Sequence, residues 1–83
     1  MNERQQIILN HIRSEYLADW ENAPLALDTS LVEQEILDSM GIFRLIVFLQ
    51  DEFEIKIEPG DILLRNFKNV EAMAELVAQK TTN

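Results

Sequence analysis

The strongest periodic pattern in the chain lies between Ser39 and Phe53 and predicts a helix. Apolar side chains recur there at intervals of three and four residues, at Ile42, Leu45, Ile46, Leu49 and Phe53. This spacing places them on one face of an α-helix rather than on alternate faces of a strand. Because an apolar helix face has to be covered by other elements, we expect this segment to be the centre of a helical core.

Two further segments carry helical spacing, one towards each end of the chain. The first covers about Glu3 to Leu17, and its stripe contains Ile8, Ile12, Glu15 and Tyr16. The last segment runs from Val70 to about Gln79. Its residues expected to face the core are Val70, Met73, Ala74 and Val77. Asn69 is a favourable cap for this last helix, and Lys80 suits the negative end of its dipole.

The first connection is predicted to be a long loop, from Ala18 to Ser30. Its turn-forming residues break the helical periodicity. Long loops in small domains are often pinned by their own apolar residues. We expect Trp20, Leu25 and Leu27 to do this.

Shorter elements are predicted on either side of the central helix. The run SLVEQEIL favours a short turn of helix, with Ser30 as its cap and Glu33 at the capping-box position. The run EIKIEPGD should be an extended connector in which Ile55 and Ile57 close the core, since Pro59 breaks any strand. The run DILLRNF should form one or two helical turns.

The fold class follows from these segments. The sequence predicts an all-α protein, a small four-helix bundle with three main helices, one short helix and a long first loop. The chain has 83 residues, of which 47% are hydrophobic, enough for one small domain with its own core. We expect a single domain over residues 1–83.

Charge excludes several classes of function. Seven Lys and Arg residues oppose fifteen Asp and Glu residues, which gives a net charge of -8. This balance argues against binding to nucleic acid or anionic membranes and favours partner proteins with basic surfaces. No apolar run is long enough to span a bilayer, and the polar start lacks the apolar core of a signal peptide. We expect a cytoplasmic monomer.

Catalytic and metal-binding signatures are absent from the sequence. His11 is the single histidine and lies far along the chain from Ser39, so no catalytic triad is indicated. Gly41 and Gly60 cannot build a phosphate-binding loop, and no cysteine is present. The acidic run DEFEIKIEPGD lacks the spacing of an EF-hand loop, so no metal is expected.

The tripeptide Asp38-Ser39-Met40 opens the central helix and has two interpretations. It can be a plain N-terminal cap, because serine and aspartate accept hydrogen bonds from free backbone N–H groups. Alternatively, the hydroxyl stands beside a docking surface, because Met40, Phe43 and Val47 form a second apolar stripe away from the core stripe. The same three residues could also be peripheral core.

The segment EILDSMGIFRLIVFLQDEFEIKI resembles the central part of acyl and peptidyl carrier proteins. Their pattern is an Asp-Ser-hydrophobe opening the second helix, an apolar helix, an acidic-Phe close and then an Ile-x-Ile. The similarity extends loosely over nearly the whole chain, including DTSLVE before the serine. The resemblance implies a 4'-phosphopantetheine arm on Ser39, attached from coenzyme A by a phosphopantetheinyl transferase, with Asp38 as the flanking acid.

The resemblance also implies a function without catalysis. The arm's thiol would hold an aminoacyl or acyl group as a thioester, loaded by an adenylating enzyme and presented to a downstream tailoring or transfer enzyme. The partner-binding face would consist of Met40, Phe43, Arg44 and Val47. A phosphodiester at Ser39 would lie at the positive end of the helix dipole.

Three residues depart from the family pattern. Glu35 stands where many relatives have glycine three or four residues before the serine. Glu54 replaces the glycine of the common E-F-G-I sequence, where it would cost about 1 kcal/mol or force a different exit from the helix. Arg44 stands where fatty-acid carriers usually place an acid, which suggests a device for selecting partners by charge.

Details of the segment favour one subclass. DSMGI and LIVFLQDEF look closer to free-standing aminoacyl carriers than to fatty-acid carriers. A further similarity is to stand-alone prolyl carriers, and it lies in the segments Phe43-Arg44-Leu45 and RNFKNVEAM. Such carriers serve a flavin dehydrogenase in secondary-metabolite and antibiotic biosynthesis. A fatty-acid or polyketide carrier and a D-alanyl carrier remain alternatives within the family. An unmodified helical adaptor is the alternative from another class.

Overall fold

The computed structural model describes residues 2–17 and 25–81. In this part of the chain the α-helices are α1 (Glu3–Tyr16), α2 (Ser39–Phe53), α3 (Leu64–Phe67) and α4 (Val70–Thr81), with one 3-10 turn at Pro59–Asp61. The described residues contain no strand. The prediction of an all-α fold with three main helices and one short helix is confirmed. Trp20, predicted to pin the first loop, lies outside the described residues.

Local capping explains where the outer helices begin. The Asn2 side chain accepts a hydrogen bond from the Gln5 N–H at 2.8 Å, and the Gln5 side chain accepts one from the Asn2 N–H at 3.0 Å. This reciprocal pair satisfies two donors that the start of α1 would otherwise leave free. At the start of α4, Asn69 Oδ1 accepts from the Ala72 N–H at 2.7 Å, as predicted. Lys80 lies in the last turn of α4 and forms an ion pair with Asp61.

The core gathers one face from each long helix. The α2 face is centred on the fully buried Leu45 and Leu49, and the other predicted members, Ile42, Ile46 and Phe53, are partly buried against them. The facing residues from the outer helices are Ile8, Leu9, Ile12, Val70, Met73, Ala74, Leu76 and Val77. The inward assignment of the stripes in α1, α2 and α4 is thus confirmed for their apolar members, while Glu15 is exposed.

The segment SLVEQEIL forms a single helical turn, as predicted, in which the Gln34 N–H donates to the Ser30 carbonyl at 3.0 Å. The N–H groups of Ile36 and Leu37 both donate to the Leu31 carbonyl, at 2.9 and 3.1 Å, which closes the turn. Glu35 adopts φ 59°, a left-handed conformation that stops helical propagation. No side-chain capping bond from Ser30 or Glu33 is present among the described residues, so the predicted cap and capping box do not form.

Hydrogen bonds to the α3–α4 region hold the described part of the first loop. Leu25 is buried and Leu27 is half-buried, in agreement with their predicted pinning role. The Leu31 N–H donates to the Lys68 carbonyl at 2.8 Å, and the Glu71 N–H donates to the Leu27 carbonyl at 3.0 Å. These bonds fix the turn that leads into α2.

Glu54 ends α2 in the left-handed conformation that the family's glycine would take. Its φ and ψ are 52° and 48°, a region that costs a residue with a side chain about 1–2 kcal/mol. The chain then continues as the predicted connector, with Ile57 buried and Ile55 partly buried. The Ile57 N–H donates to the Gln50 side chain at 3.0 Å, which draws the connector back onto α2.

Glu54→Gly is expected to stabilise the protein, because glycine adopts positive φ without steric cost. The gain in unfolding free energy should be about 0.5–1 kcal/mol, after allowing for the greater freedom of glycine in the unfolded chain. Thermal or urea unfolding measures it. Glu52→Gly, inside the exposed face of α2, is the matched control and should lose about 1 kcal/mol. A loss of stability in Glu54→Gly would contradict the assignment of strain to Glu54.

Candidate functional site

At the start of α2, the residue that caps the helix is not the residue that bears the exposed hydroxyl. Asp38 is the N-cap: its Oδ1 accepts a hydrogen bond from the Gly41 N–H at 2.8 Å, and its backbone carbonyl accepts from the Ile42 N–H at 3.0 Å. Ser39 is the first helical residue, and its side chain is exposed. No hydrogen bond among the described residues uses the Ser39 hydroxyl. The capping role therefore belongs to Asp38, and Ser39 is left available for chemistry.

The backbone around Ser39 suits an anionic substituent. The N–H groups of Ser39 and Met40 precede the hydrogen-bonded ladder of α2 and have no acceptor within the helix. These N–H groups lie at the N-terminal end of the fifteen-residue helix, where the helix dipole is positive. No acidic residue lies in the first turn itself. A phosphodiester on the Ser39 hydroxyl thus fits the residues present, with free donors nearby and no buried group to displace.

Tyr16 and Gly41 anchor this end of α2 to the end of α1. The Tyr16 hydroxyl donates a hydrogen bond to the Gly41 carbonyl at 3.1 Å. A Cβ atom on Gly41 would lie 3.1 Å from Leu37 Cδ2 and 3.4 Å from Tyr16 Cε1, so a larger residue would push these neighbours apart. Gly41 has a negative φ, so close packing explains the glycine. Sequence reasoning missed this contact, although an isolated glycine in a helical pattern is a signal of close approach.

Burial raises the pKa of the Tyr16 phenol from its ordinary value. The neighbouring Arg44 cation opposes this shift, and the carboxylates of Glu15 and Asp38 add to it. Because the pKa of a phenol is already far above neutral pH, Tyr16 stays protonated and remains a donor to the Gly41 carbonyl. The anchor at the start of α2 therefore persists across the physiological pH range.

The second stripe of α2 is exposed, as its spacing predicts. Met40 and Phe43 each expose 62% of their surface and Val47 exposes 43%, while Arg44 is also exposed. Such exposure excludes the interpretation of these apolar residues as peripheral core. Three large apolar side chains in a row on the surface of one helix are typical of an interaction surface.

His11 packs between α1 and α2 at some distance along the chain from Ser39. Its ring stacks on Phe48 with the ring centroids 3.6 Å apart and an angle of 7° between the planes. Burial lowers the pKa of His11, against the pull of the Glu15 and Glu52 carboxylates. His11 lines a shallow groove with Glu15, Tyr16 and Arg44, and its stacking indicates a structural role.

The described residues offer neither a cluster of metal ligands nor a membrane-spanning helix. Within residues 2–17 and 25–81, no group of three or more histidine, cysteine, aspartate or glutamate side chains is arranged to hold a metal ion. None of the helices in these ranges is both long and apolar enough to cross a bilayer.

Comparison with known proteins agrees with the geometry. A family model described as a phosphopantetheine attachment site matches residues 14–77. The chain is 39% identical over 70 residues to the "Probable acyl carrier protein PigG" of Serratia sp., which covers 84% of this chain and 79% of that relative. The matched range contains α2 and the whole first turn that presents Ser39.

The resemblance inferred from EILDSMGIF and the segment after it is therefore confirmed. Members of this family bear a covalent 4'-phosphopantetheine group and act with transferases and acylating enzymes. The chain belongs to the phosphopantetheine-binding carrier protein family, whose members carry their cargo on covalently attached 4'-phosphopantetheine and have no catalytic activity of their own.

Proposed function

We propose that Ser39 carries the 4'-phosphopantetheine group and that the protein presents an aminoacyl or acyl thioester to partner enzymes. The observation that supports this most is the uncommitted Ser39 hydroxyl, exposed at the first residue of α2 while Asp38 makes the cap. The bound group supplies a thiol, which this chain lacks because it contains no cysteine.

The other described serine and threonine hydroxyls are less suited to modification. Ser14 lies inside α1, and its hydroxyl donates to the His11 carbonyl at 3.1 Å. Thr29 Oγ1 accepts from the Ala26 N–H at 2.8 Å, and Thr81 Oγ1 accepts from Arg4. Ser30 is half-buried in a single short turn, unlike Ser39, which is exposed at the start of a long helix. Ser39 combines exposure, an unused hydroxyl and adjacent free donors.

An aminoacyl group is the proposed cargo, on the basis of DSMGI and LIVFLQDEF. Within that class we propose a prolyl carrier of secondary metabolism, acting in the cytoplasm with an adenylating enzyme and a flavin dehydrogenase. The relative from Serratia sp. is described only as an acyl carrier protein, so a fatty-acyl or polyketide cargo remains the alternative.

The proposed partner face consists of Met40, Phe43, Arg44 and Val47. All four are exposed on α2, within three turns of Ser39, so a partner bound here would lie beside the modified hydroxyl. The apolar side chains would supply contact area, and Arg44 would favour partners with an acidic counterpart. A partner with a basic residue at that point would meet a like charge.

Ser39→Ala is expected to abolish modification without unfolding the protein. After incubation with a broad-range phosphopantetheinyl transferase and coenzyme A, the intact mass of the wild type should rise by one phosphopantetheine, and that of the variant should not. Helical circular dichroism should be nearly unchanged, because Ser39 is exposed and makes no hydrogen bond. An unchanged wild-type mass with an active transferase would favour the unmodified adaptor instead.

Substitutions of Asp38 should separate capping from any role in modification. Asp38→Ala should lower the unfolding free energy by about 1 kcal/mol, because the Gly41 N–H loses its acceptor. Asp38→Asn preserves the cap and should cost much less, yet it should slow transfer of the group if the carboxylate assists the transferase. Urea unfolding and the rate of mass increase are compared. A normal rate in Asp38→Asn would leave Asp38 as a cap alone.

Substitutions on the partner face should impair loading more than folding. Phe43→Ala and Arg44→Glu alter exposed side chains, so each should change the unfolding free energy by no more than about 0.5 kcal/mol. Loading by the cognate adenylating enzyme, measured on protein that already bears phosphopantetheine, should slow in both. Lys56→Glu makes the same charge change off α2 and serves as the control. If Phe43→Ala lowered the unfolding free energy by several kcal/mol, Phe43 would belong to the core and would have to be removed from the partner face.

A further inference from the structure

A second surface groove lies between the turn that begins at Ser30 and helix α3. Its lining residues are Ser30, Val32, Glu33, Leu64, Arg65 and Lys68. Val32 exposes 36% of its surface, and Leu64, at 65%, is the most exposed large hydrophobic residue in the described part of the chain. Leu64 also borders an apolar groove that contains Ile42 of α2. The groove therefore contains two exposed apolar side chains, and one of them, Leu64, also borders the groove next to α2.

The charges around this groove oppose the charge of the protein as a whole. The chain has a net charge of -8, yet two cations, Arg65 and Lys68, line the groove against one acid, Glu33. Neither cation makes a side-chain hydrogen bond or ion pair with any described residue. Of the other cations, Arg4, Arg13 and Lys80 each have a partner within the fold, whereas Arg44 and Lys56 form no hydrogen bond or ion pair with a described residue. Lys68 also borders a neighbouring groove that contains Glu71 and Glu75, so the positively charged side of the first groove ends there.

The groove is already formed in the free chain. One wall is fixed because the Leu31 N–H donates to the Lys68 carbonyl at 2.8 Å. Leu31 and Phe67, which lie next to the lining residues in sequence, are buried in the core. A ligand would therefore not have to order the backbone before it bound, and ordering is one of the main costs of association.

We infer that this groove, defined by Val32, Leu64, Arg65 and Lys68, docks a partner-enzyme segment in which apolar side chains are flanked by carboxylates. The apolar residues would cover Leu64 and Val32, and the carboxylates would pair with the two free cations. The net negative charge of the carrier repels such a segment at long range, but this repulsion is screened beyond about 8 Å at physiological ionic strength. The groove would thus affect how long a partner stays bound after the two proteins have met, and not how fast they meet.

A pair of synthetic peptides tests this inference. One is a capped peptide with two leucines flanked on both sides by glutamates, and the other has lysines in place of the glutamates. Each is titrated into the full-length protein, and backbone amide shifts are followed by NMR. The glutamate peptide should cause saturable shifts at Val32, Leu64, Arg65 and Lys68, and the lysine peptide should not.

Charge reversal supplies the specificity control. Arg65→Glu should weaken binding of the glutamate peptide by roughly three- to tenfold, as expected when an exposed ion pair becomes a repulsion. Lys56→Glu makes the same charge change on an exposed residue outside the groove and should leave the affinity nearly unchanged. Equal weakening by both variants would reduce the effect to net charge and overturn the inference.

Other outcomes would also overturn the inference. These are equal binding of the lysine peptide, shifts confined to Met40, Phe43 and Val47, or no saturable shift at millimolar peptide. Shifts at the groove that depend on protein concentration alone would assign it to a second copy of the chain. None of these results depends on which residue carries phosphopantetheine, so they leave the assignment of Ser39 untouched.

Discussion

The hydrogen bond from the Gly41 N–H to Asp38 is the interaction on which the functional end of the molecule depends. It sets the first turn of α2 and leaves the next residue, Ser39, with an unused hydroxyl. The bond from Tyr16 to the Gly41 carbonyl then ties this turn to α1. A surface serine in a mobile turn would have no fixed donors around it, whereas here the free N–H groups of α2 stand beside the hydroxyl.

Sequence patterns correctly predicted those elements that depend on residues close together in the chain. The α2 stripe, the Asn69 cap and the exposed position of Met40, Phe43 and Val47 all follow from spacing and hydrogen-bonding chemistry. The left-handed stop at Glu54 was one of two predicted outcomes, because a missing glycine leaves either strain or a different exit. The helical turn after Ser30 follows from its sequence, but its predicted side-chain cap does not form, and Glu35 ends the turn in a left-handed conformation that its side chain disfavours. The bonds from Ile36 and Leu37 to the Leu31 carbonyl that close this turn are local, whereas the burial of Leu37 in the core is a tertiary effect. The Tyr16–Gly41 contact joins residues far apart in sequence, so no local pattern contains it.

Two surfaces of the described chain combine exposed apolar side chains with cations. The α2 face is apolar with one cation, Arg44, and the groove beside α3 is apolar with two cations that have no partner in the described structure. The rest of the chain is strongly acidic. Long-range attraction would thus bring basic partner surfaces towards the protein, while short-range contacts at these cations discriminate among them. A carrier that must visit several enzymes in turn can use such a division between encounter and recognition.

Localisation of the modification by peptide mass spectrometry tests the central claim most directly. Trypsin should cleave the modified protein after Arg13 and Arg44 and release residues 14–44, which include Ser14, Thr29, Ser30 and Ser39. Fragmentation of this peptide separates its four serine and threonine hydroxyls. The account predicts that every fragment carrying the added phosphopantetheine mass contains Ser39 and that fragments with only the other three carry none. Phosphopantetheine on Ser14, Thr29 or Ser30 would contradict the assignment of Ser39 as the attachment residue.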